Sequence, residues 1–282
     1  ALIRSVGRGL LSGAGRLMVL APCRRGVEFV LMFLSALLGR GGGSGWDTAG
    51  QNRALARHAQ PKDNMIILDV GANDGRWIAD VDKQFRRYRP HYHAFECAPY
   101  CFENFERNTR DISELKLVRK AVSDRAGSMT LYLPDTGSGL ASLHERHDTS
   151  VRAHEYGTLE VETVDLDSYI EANGITQVDV LKIDVEGHEV SVLEGARRAL
   201  KEHRIAAIMF EFGSANINSR TFFGDFWNLF DALSYDLHVV LPGGGTYKID
   251  RYRDELEYFR GASNYIATRR PSNAAGVAAA AA

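Results

Sequence analysis

The stretch Ile66-Ile67-Leu68-Asp69-Val70-Gly71-Ala72-Asn73-Asp74-Gly75 limits the fold more than any other part of the chain. A short apolar run breaking into Gly-Ala-Asn-Asp-Gly predicts a buried strand, a tight turn and a helix to follow. Gly71 and Gly75 have no β-carbon, so the backbone there can adopt unusual angles and let a ligand approach closely. Asn73 and Asp74 suit the cap of the next helix, whose free N–H groups would then face that ligand.

The rest of the first half repeats the strand–helix alternation. Trp77, Val81, Phe85 and Tyr88 recur at three- and four-residue intervals and predict one apolar helix face, which Pro90 ends. His91 to Glu96 reads as a second strand, Pro99 opens a helix with Phe102 and Phe105 inward, and Leu115 to Val122 reads as a third strand. Strands alternating with helices imply right-handed crossovers and a parallel, doubly wound sheet, which binds ligands beyond its C-terminal strand ends. Asp69, Gly71, Glu96 and Ala121-Val122-Ser123-Asp124 then share one rim. Glu96 lies about twenty residues past the glycine turn, where an acid takes the ribose hydroxyls of an adenosine cofactor. A solvated strand-end acid is the plainer reading of the same residue.

The second half resumes the winding after an interruption. Ser128 to Leu133 and Leu159 to Val164 read as strands around a turn, Gly137 to Leu143, and a polar loop with His144, Glu145, Arg146, His147, His154 and Tyr156. That loop is a candidate acceptor lid, or a set of solvated polar residues. Asp165 caps a short helix, and Val178 to Asp184 is a fourth parallel strand. It runs into Val185-Glu186-Gly187-His188-Glu189, which opens a helix with Val190, Leu193 and Leu200 inward. Ile205 to Phe212 is a fifth strand, ending at Glu211. An aromatic helix (Phe222, Phe223, Phe226, Trp227, Phe230) reads as core or interface, and strands at Leu237 to Leu241 and Asn264 to Thr268 complete the set.

Composition narrows the partners. A net charge of −2 over 282 residues argues against a nucleic-acid binder held by phosphate contacts. Cys23, Cys97 and Cys101 are too few and too oddly spaced for a disulfide framework or a zinc site, so a reducing, cytoplasmic setting is expected. Residues 1–45 stand apart, with six arginines (Arg4, Arg8, Arg16, Arg24, Arg25, Arg40) against one acid, Glu28. Their longer apolar run, Val27 to Leu38, falls short of the ~20 residues that cross a bilayer. It suits a segment lying on a membrane surface, a targeting segment, or a helical extension packed on the domain or a second subunit. Gly39 to Gly45 reads as a flexible linker, residues 46–270 as one domain, and residues 271–282 as a disordered tail.

Three strings together resemble the FkbM family of methyltransferases: Leu68 to Gly75, Phe95-Glu96-Cys97-Ala98-Pro99, and Leu181-Lys182-Ile183-Asp184-Val185-Glu186-Gly187-His188-Glu189. Ala121 to Asp124, the Gly137 to Leu143 turn, Thr163 to Asp167 and Phe210-Glu211 add to the likeness, which spans residues 64–268 and does not reach the extension. Cys97 departs from the family's usual proline. The resemblance implies a Rossmann-like class I α/β fold, with a seven-stranded, mostly parallel sheet, helices on both faces and an antiparallel last strand. It implies S-adenosylmethionine-dependent O-methylation of a sugar, glycolipid or natural-product hydroxyl. Cofactor contacts are expected from Asp69, Gly71, Ala72, Asn73, Asp74, Gly75, Glu96, Val122, Ser123 and Asp184.

For catalysis the resemblance puts Asp184 and His188 beside the methyl position. His188 is a reasonable general base, since its ordinary pKa lies near neutral. Asp184 and Glu211 could instead hold a divalent metal that acidifies the hydroxyl, or the cluster could be structural. Two competing functions share parts of the pattern. An NAD-dependent oxidoreductase would want a tighter Gly-x-Gly-x-x-Gly, and a membrane-recruited cofactor-binding module would have no use for the Asp184, Glu186 and His188 cluster.

Overall fold

The computed structural model describes residue 15 and residues 19–42, 47–133, 140–146 and 157–271. His147, His154, Tyr156, the tail from residue 272, most of residues 1–18 and the linker end at 43–46 lie outside that set. The main sheet opens with β1 (Ile66–Val70), β2 (His91–Phe95) and β3 (Leu115–Val118), linked by α3 (Arg76–Phe85) and α4 (Pro99–Thr109). It continues through β7 (Val178–Ile183), β8 (Ile205–Gly213), β9 (Tyr235–Val240), β10 (Thr246–Lys248) and β11 (Ala262–Arg269). Their spatial order is β10-β9-β11-β8-β7-β1-β2-β3. Strands β3, β2, β1, β7 and β8 pair in parallel, whereas β11 inserts antiparallel between β8 and β9.

The seven expected strands are therefore present, and the eighth is the three-residue edge strand β10, turned back on β9. A second departure concerns Leu115 to Val122. The Lys120 N–H closes on the Val118 carbonyl at 2.9 Å and breaks the strand. The next strand, β4 (Ala121–Val122), leaves the main sheet and pairs with β6 (Gly157–Val164). With β5 (Gly127–Leu133) they form a separate three-stranded sheet, order β4-β6-β5.

Period-two alternation along the buried strands feeds two cores. Leu68, Val70, Leu181 and Ile183 face one side, with Ile170 of α5 (Leu166–Ala172), Leu193 of α6 (Glu189–Glu194), and Ala199 and Leu200 of α7 (Arg197–Lys201). Asp165 caps α5 as its sequence suggests, accepting from Ser168 N at 2.8 Å. Phe223, Phe226 and Phe230 of α9 (Phe223–Ala232) stack with Phe210 and Tyr265 in the same core, so the aromatic helix is core. On the opposite face Ile67 and Val180 meet Ile78, Val81 and Phe85 of α3 and Leu55 of α2 (Thr48–Ala59). The N-terminal helix α1 (Ala21–Leu37) buries none of its residues. The start of the glycine linker is docked rather than free: Gly39 is buried, and Gly41 N donates to Ser263 Oγ at 2.9 Å.

Candidate active site

The glycine turn is built for closeness between elements of the protein itself. At Gly71 (φ +82°) a β-carbon would lie 1.9 Å from the Asp184 carbonyl, so only glycine lets the ends of β1 and β7 meet. At Gly75 (φ +77°) it would strike the side chains of Thr109 and Phe105 on α4. Gly75 itself sits at the cap of α3, so Asn73 and Asp74 do not fill that role. Asn73 instead takes a left-handed turn (φ +49°) and donates its N–H to Glu96 Oε2 at 2.8 Å.

Glu96 is the pivot of the cleft. Its other oxygen accepts from Ala98 N at 2.7 Å, so the carboxylate is fixed between two backbone donors. Burial raises its pKa, while the Ala98, Asn73 and Cys97 N–H groups pull the other way. The acceptor capacity that these three donors leave on the carboxylate suits a ligand hydroxyl. The cleft around it encloses about 120 Å³. Val70, Phe95, Val122, Leu131 and Leu143 give it apolar walls, and Gly71, Asn73 and Asp184 line its polar end.

Asp184 also lines a second, smaller cavity, together with Glu186, Glu189, Glu211, Arg146 and Gly261. This one is acidic. Lys182 Nζ sits 3.2 Å from Asp184 and 3.3 Å from Asp69, and 5.3 Å from the Trp77 ring centre. Burial pulls its pKa down, but Asp69, Asp184 and Glu211 outweigh burial and hold the ammonium above its ordinary value. Glu186 (φ +52°) is bound by Arg146 Nη1 at 2.6 Å. Burial, then the neighbouring Asp184, push its carboxyl up to about 8 despite that arginine. Glu211 is raised well above the usual carboxylate range by burial and by Asp184. Glu189 shapes the loop: it accepts from Gly187 N at 3.0 Å and from Asn216 Nδ2 at 3.1 Å.

Of the residues expected to touch the cofactor, Gly71, Asn73, Glu96, Val122 and Asp184 line the cleft. Asp69, Ala72, Asp74, Gly75 and Ser123 do not, and each has another structural position. Asp69 is fully buried beneath the turn, where its Oδ1 meets Lys182 and its Oδ2 has no partner among the described residues. Ala72 N is spent on the Phe95 carbonyl, and the Asp74 carboxylate pairs with Arg76 at 2.9 Å. Ser123 Oγ is 2.9 Å from His188 Nε2.

The base expected at His188 needs the same correction. His188 is 4% exposed and lines neither the cleft nor the acidic cavity. Its Nδ1 lies 3.1 Å from His144 Nε2, so both ring nitrogens are engaged. Burial, then His144, bring it down to about 4, which leaves a neutral strut. The divalent-metal alternative also loses its geometry. Among the described residues no three His, Cys, Asp or Glu side chains converge on a metal position, and Lys182 already partners Asp184.

The described part of the expected lid, residues 140–146, is tied down over this loop. Ser142 Oγ donates to the Glu186 carbonyl at 2.8 Å, and Arg146 is 3% exposed. Sequence alone gives no individual role to Glu186, Arg146 or Lys182. Glu186 and Lys182 lie inside the Lys182-Ile183-Asp184-Val185-Glu186-Gly187 string, but Arg146 sits in a loop without a fixed pattern.

A parallel sheet with an inserted antiparallel strand, a glycine turn after β1 and an acid closing β2 define a class I methyltransferase fold. The methyltransferase FkbM domain model matches residues 69–237, more than half of the chain, and the chain belongs to that family. It is 27% identical over 155 residues to the 2-O-methyltransferase NoeI of Sinorhizobium fredii, covering 51% of this chain and 62% of that protein. It is 26% identical over 151 residues to the hexuronic acid methyltransferase AglP of Haloferax volcanii, covering 53% of this chain and 56% of that one. The aligned region thus spans about three-fifths of the length of these relatives. The FkbM methyltransferase structure from Methylobacillus flagellatus superposes with a TM-score of 0.44 at 14% identity, over 73% of this chain and 43% of that one.

Proposed function

We propose that the protein is an S-adenosylmethionine-dependent O-methyltransferase whose acceptor is a hydroxyl of a sugar, glycolipid or natural product. The observation that carries this reading is the junction at Asp184, where the apolar-walled cleft of Glu96 meets the acidic cavity of Glu186 and Glu211. The chemistry of the cleft's lining suits the cofactor: Glu96 suits a ribose hydroxyl, the apolar walls suit adenine, and Gly71 and Asp184 stand at the polar end. When bound, S-adenosylmethionine supplies an electrophilic methyl on a sulfonium.

The chain's own part is to orient the acceptor and take its proton. Positioning a hydroxyl in line contributes much of the rate of such a displacement. Asp184, held by Lys182, accepts a hydrogen bond from the hydroxyl and aims it. Glu211, with a raised proton affinity, is the better matched base, and Asn264 Nδ2 steadies it at 3.4 Å. Carboxylates facing a small cavity also suit a polyol, whose further hydroxyls can donate to them. NoeI is named a 2-O-methyltransferase and AglP a hexuronic acid methyltransferase, which supports O-methylation of a glycan acceptor.

Calorimetric titration with S-adenosylhomocysteine, with NAD alongside, tests the cofactor half. Micromolar binding of the homocysteine compound alone is expected. A preference for NAD would overturn the reading.

A further inference from the structure

Helix α1 is amphipathic the wrong way round. A surface helix ordinarily turns its apolar stripe to the core. Here Met32, Ser35 and Ala36 lie half-buried, while Val27, Phe29, Phe33, Leu34 and Leu37 are 45–64% exposed. At 100° per residue the large apolar side chains sweep roughly 200° of the helix surface. Arg24 and Arg25 stand at its N-terminal end, and the preceding sequence adds Arg4, Arg8 and Arg16. The remainder of the chain must carry net negative charge, since the whole is −2.

The helix is anchored beside the acceptor cavity. Ala262 of β11 pairs with Gly213 at the C-terminal end of β8, so this corner belongs to the catalytic rim. Gly41 packs on Gly261, which lines the acidic cavity, and Arg260 Nη2 reaches Met32 Sδ at 3.7 Å. Two further apolar side chains share the rim: Ile217 of α8 (Asn216–Ser219) is 51% exposed and Phe222 is 54% exposed.

We propose that α1 lies in the headgroup region of an anionic lipid bilayer and seats the acceptor cavity against it. The chemistry favours lipid over a second copy. One helix–helix contact covers a narrow seam, whereas acyl chains can surround an arc this wide. Anionic headgroups complement the arginines and repel the rest of the chain, so this segment alone draws the protein in and sets which end faces the surface. Among the described residues no helix is long and apolar enough to cross a membrane. An interfacial seat is what α1 can provide. The inference rests on the methyltransferase reading only for what the rim does; the seating itself is independent of it.

The test is flotation of the full chain with vesicles of equal parts phosphatidylcholine and phosphatidylglycerol, against phosphatidylcholine alone. The full chain is expected to float with the anionic vesicles and to be released by salt. The triple substitution Phe29→Glu, Phe33→Glu, Leu37→Glu should cut partitioning at least ~10-fold while leaving S-adenosylhomocysteine binding unchanged, since all three side chains are exposed. An environment-sensitive dye at Ile217→Cys, in a Cys23→Ser background, should brighten on the vesicles, and one at Lys201→Cys, at the other end of the strands, should not. Three outcomes overturn the proposal: equal flotation of wild type and triple variant, equal dye responses at both ends, or a dimer in light scattering that the substitutions dissociate. Loss of S-adenosylhomocysteine binding by the wild type would instead strike the proposed function and leave the seating standing.

Discussion

The two halves of the catalytic rim solve the same problem differently. On the β1–β2 side one carboxylate, Glu96, is satisfied by backbone donors from its own turn and from Asn73. On the β7–β8 side Asp184, Glu186, Glu189 and Glu211 crowd together, and the cations among them are Lys182 and Arg146. A backbone-held carboxylate is fixed in place, which suits holding a ligand hydroxyl. A crowded set leaves some carboxyls with proton affinities lifted toward neutral, which suits moving a proton. On the proposed function, the first half holds and the second reacts.

Substitution of Glu211 should separate the two halves most sharply. Glu211→Gln keeps shape and the contact with Asn264 but removes the proton acceptor, so turnover should fall about 10²–10⁴-fold. S-Adenosylhomocysteine affinity should stay within about threefold. The sign of the pH effect follows from the raised pKa of Glu211: below it the carboxyl is protonated and idle, so wild-type kcat climbs as pH rises through it. The glutamine variant should lose that climb. A variant with undiminished kcat would move the base elsewhere in the cavity.

Arg146→Ala probes what holds the crowd together. Arg146 is buried against Glu186, and breaking a buried pair costs about 3–5 kcal/mol. Glu186, raised to about 8, can shed much of that cost by staying protonated near neutral pH. Urea unfolding should therefore show a loss of about 3 kcal/mol at pH 7, growing as pH rises and Glu186 must ionise unpaired. A pH-independent loss would mean that packing of the residue 140–146 segment, not charge, is what Arg146 supplies.

Glu96→Ala attacks the holding half. It removes the proposed ribose contacts and leaves the Asn73 and Ala98 N–H groups without their acceptor, so cofactor affinity should fall about 30- to 100-fold, or about 2–3 kcal/mol. Calorimetry reads this directly. Unchanged affinity would remove the ribose assignment and with it the contrast between the two halves.

The same contrast separates what the sequence reveals from what it hides. Leu68 to Gly75 and Phe95 to Pro99 act through local chain geometry, so their spacing carries the strand–turn–helix pattern and the position of Glu96 at the cleft. The reason for the glycines is not legible there, because the neighbours that require them, Asp184 at Gly71 and Phe105 at Gly75, come from distant segments. The acidic cavity depends on side chains from β7, β8 and the residue 140–146 segment meeting in space, and no spacing encodes the Arg146–Glu186 pair. Helix α2 escapes the sequence pattern because its alanine-rich periodicity is weak. Its start is fixed by Asp47, which accepts from Gly50 N at 2.8 Å and from Gly243 N, nearly two hundred residues away, at 2.6 Å. The break after Val118 is equally hidden, since only its pairing with β6 shows that Ala121 and Val122 belong to another sheet.

His188 gives the smallest predicted effect and the finest test of the division between holding and reacting. It lies behind the reacting half, bonded to Ser123 and His144, and it is held neutral. Replacement by alanine should cost about 1–2 kcal/mol of stability at pH 7 through two lost hydrogen bonds and lower turnover only a few-fold. Acid should reverse the ordering. With a folded pKa of about 4 against an ordinary 6.5, the native state binds fewer protons than the unfolded chain in that window. Wild-type stability is therefore complete above pH 6.5 and drains away as pH falls toward 4, by on the order of 3 kcal/mol. His188→Ala has no such loss at this position, so its deficit at pH 7 should shrink on acidification and vanish near pH 5. Urea midpoints at several pH values decide the matter. A deficit that stayed constant with pH, together with a turnover loss beyond about 100-fold, would return His188 to the reacting groups.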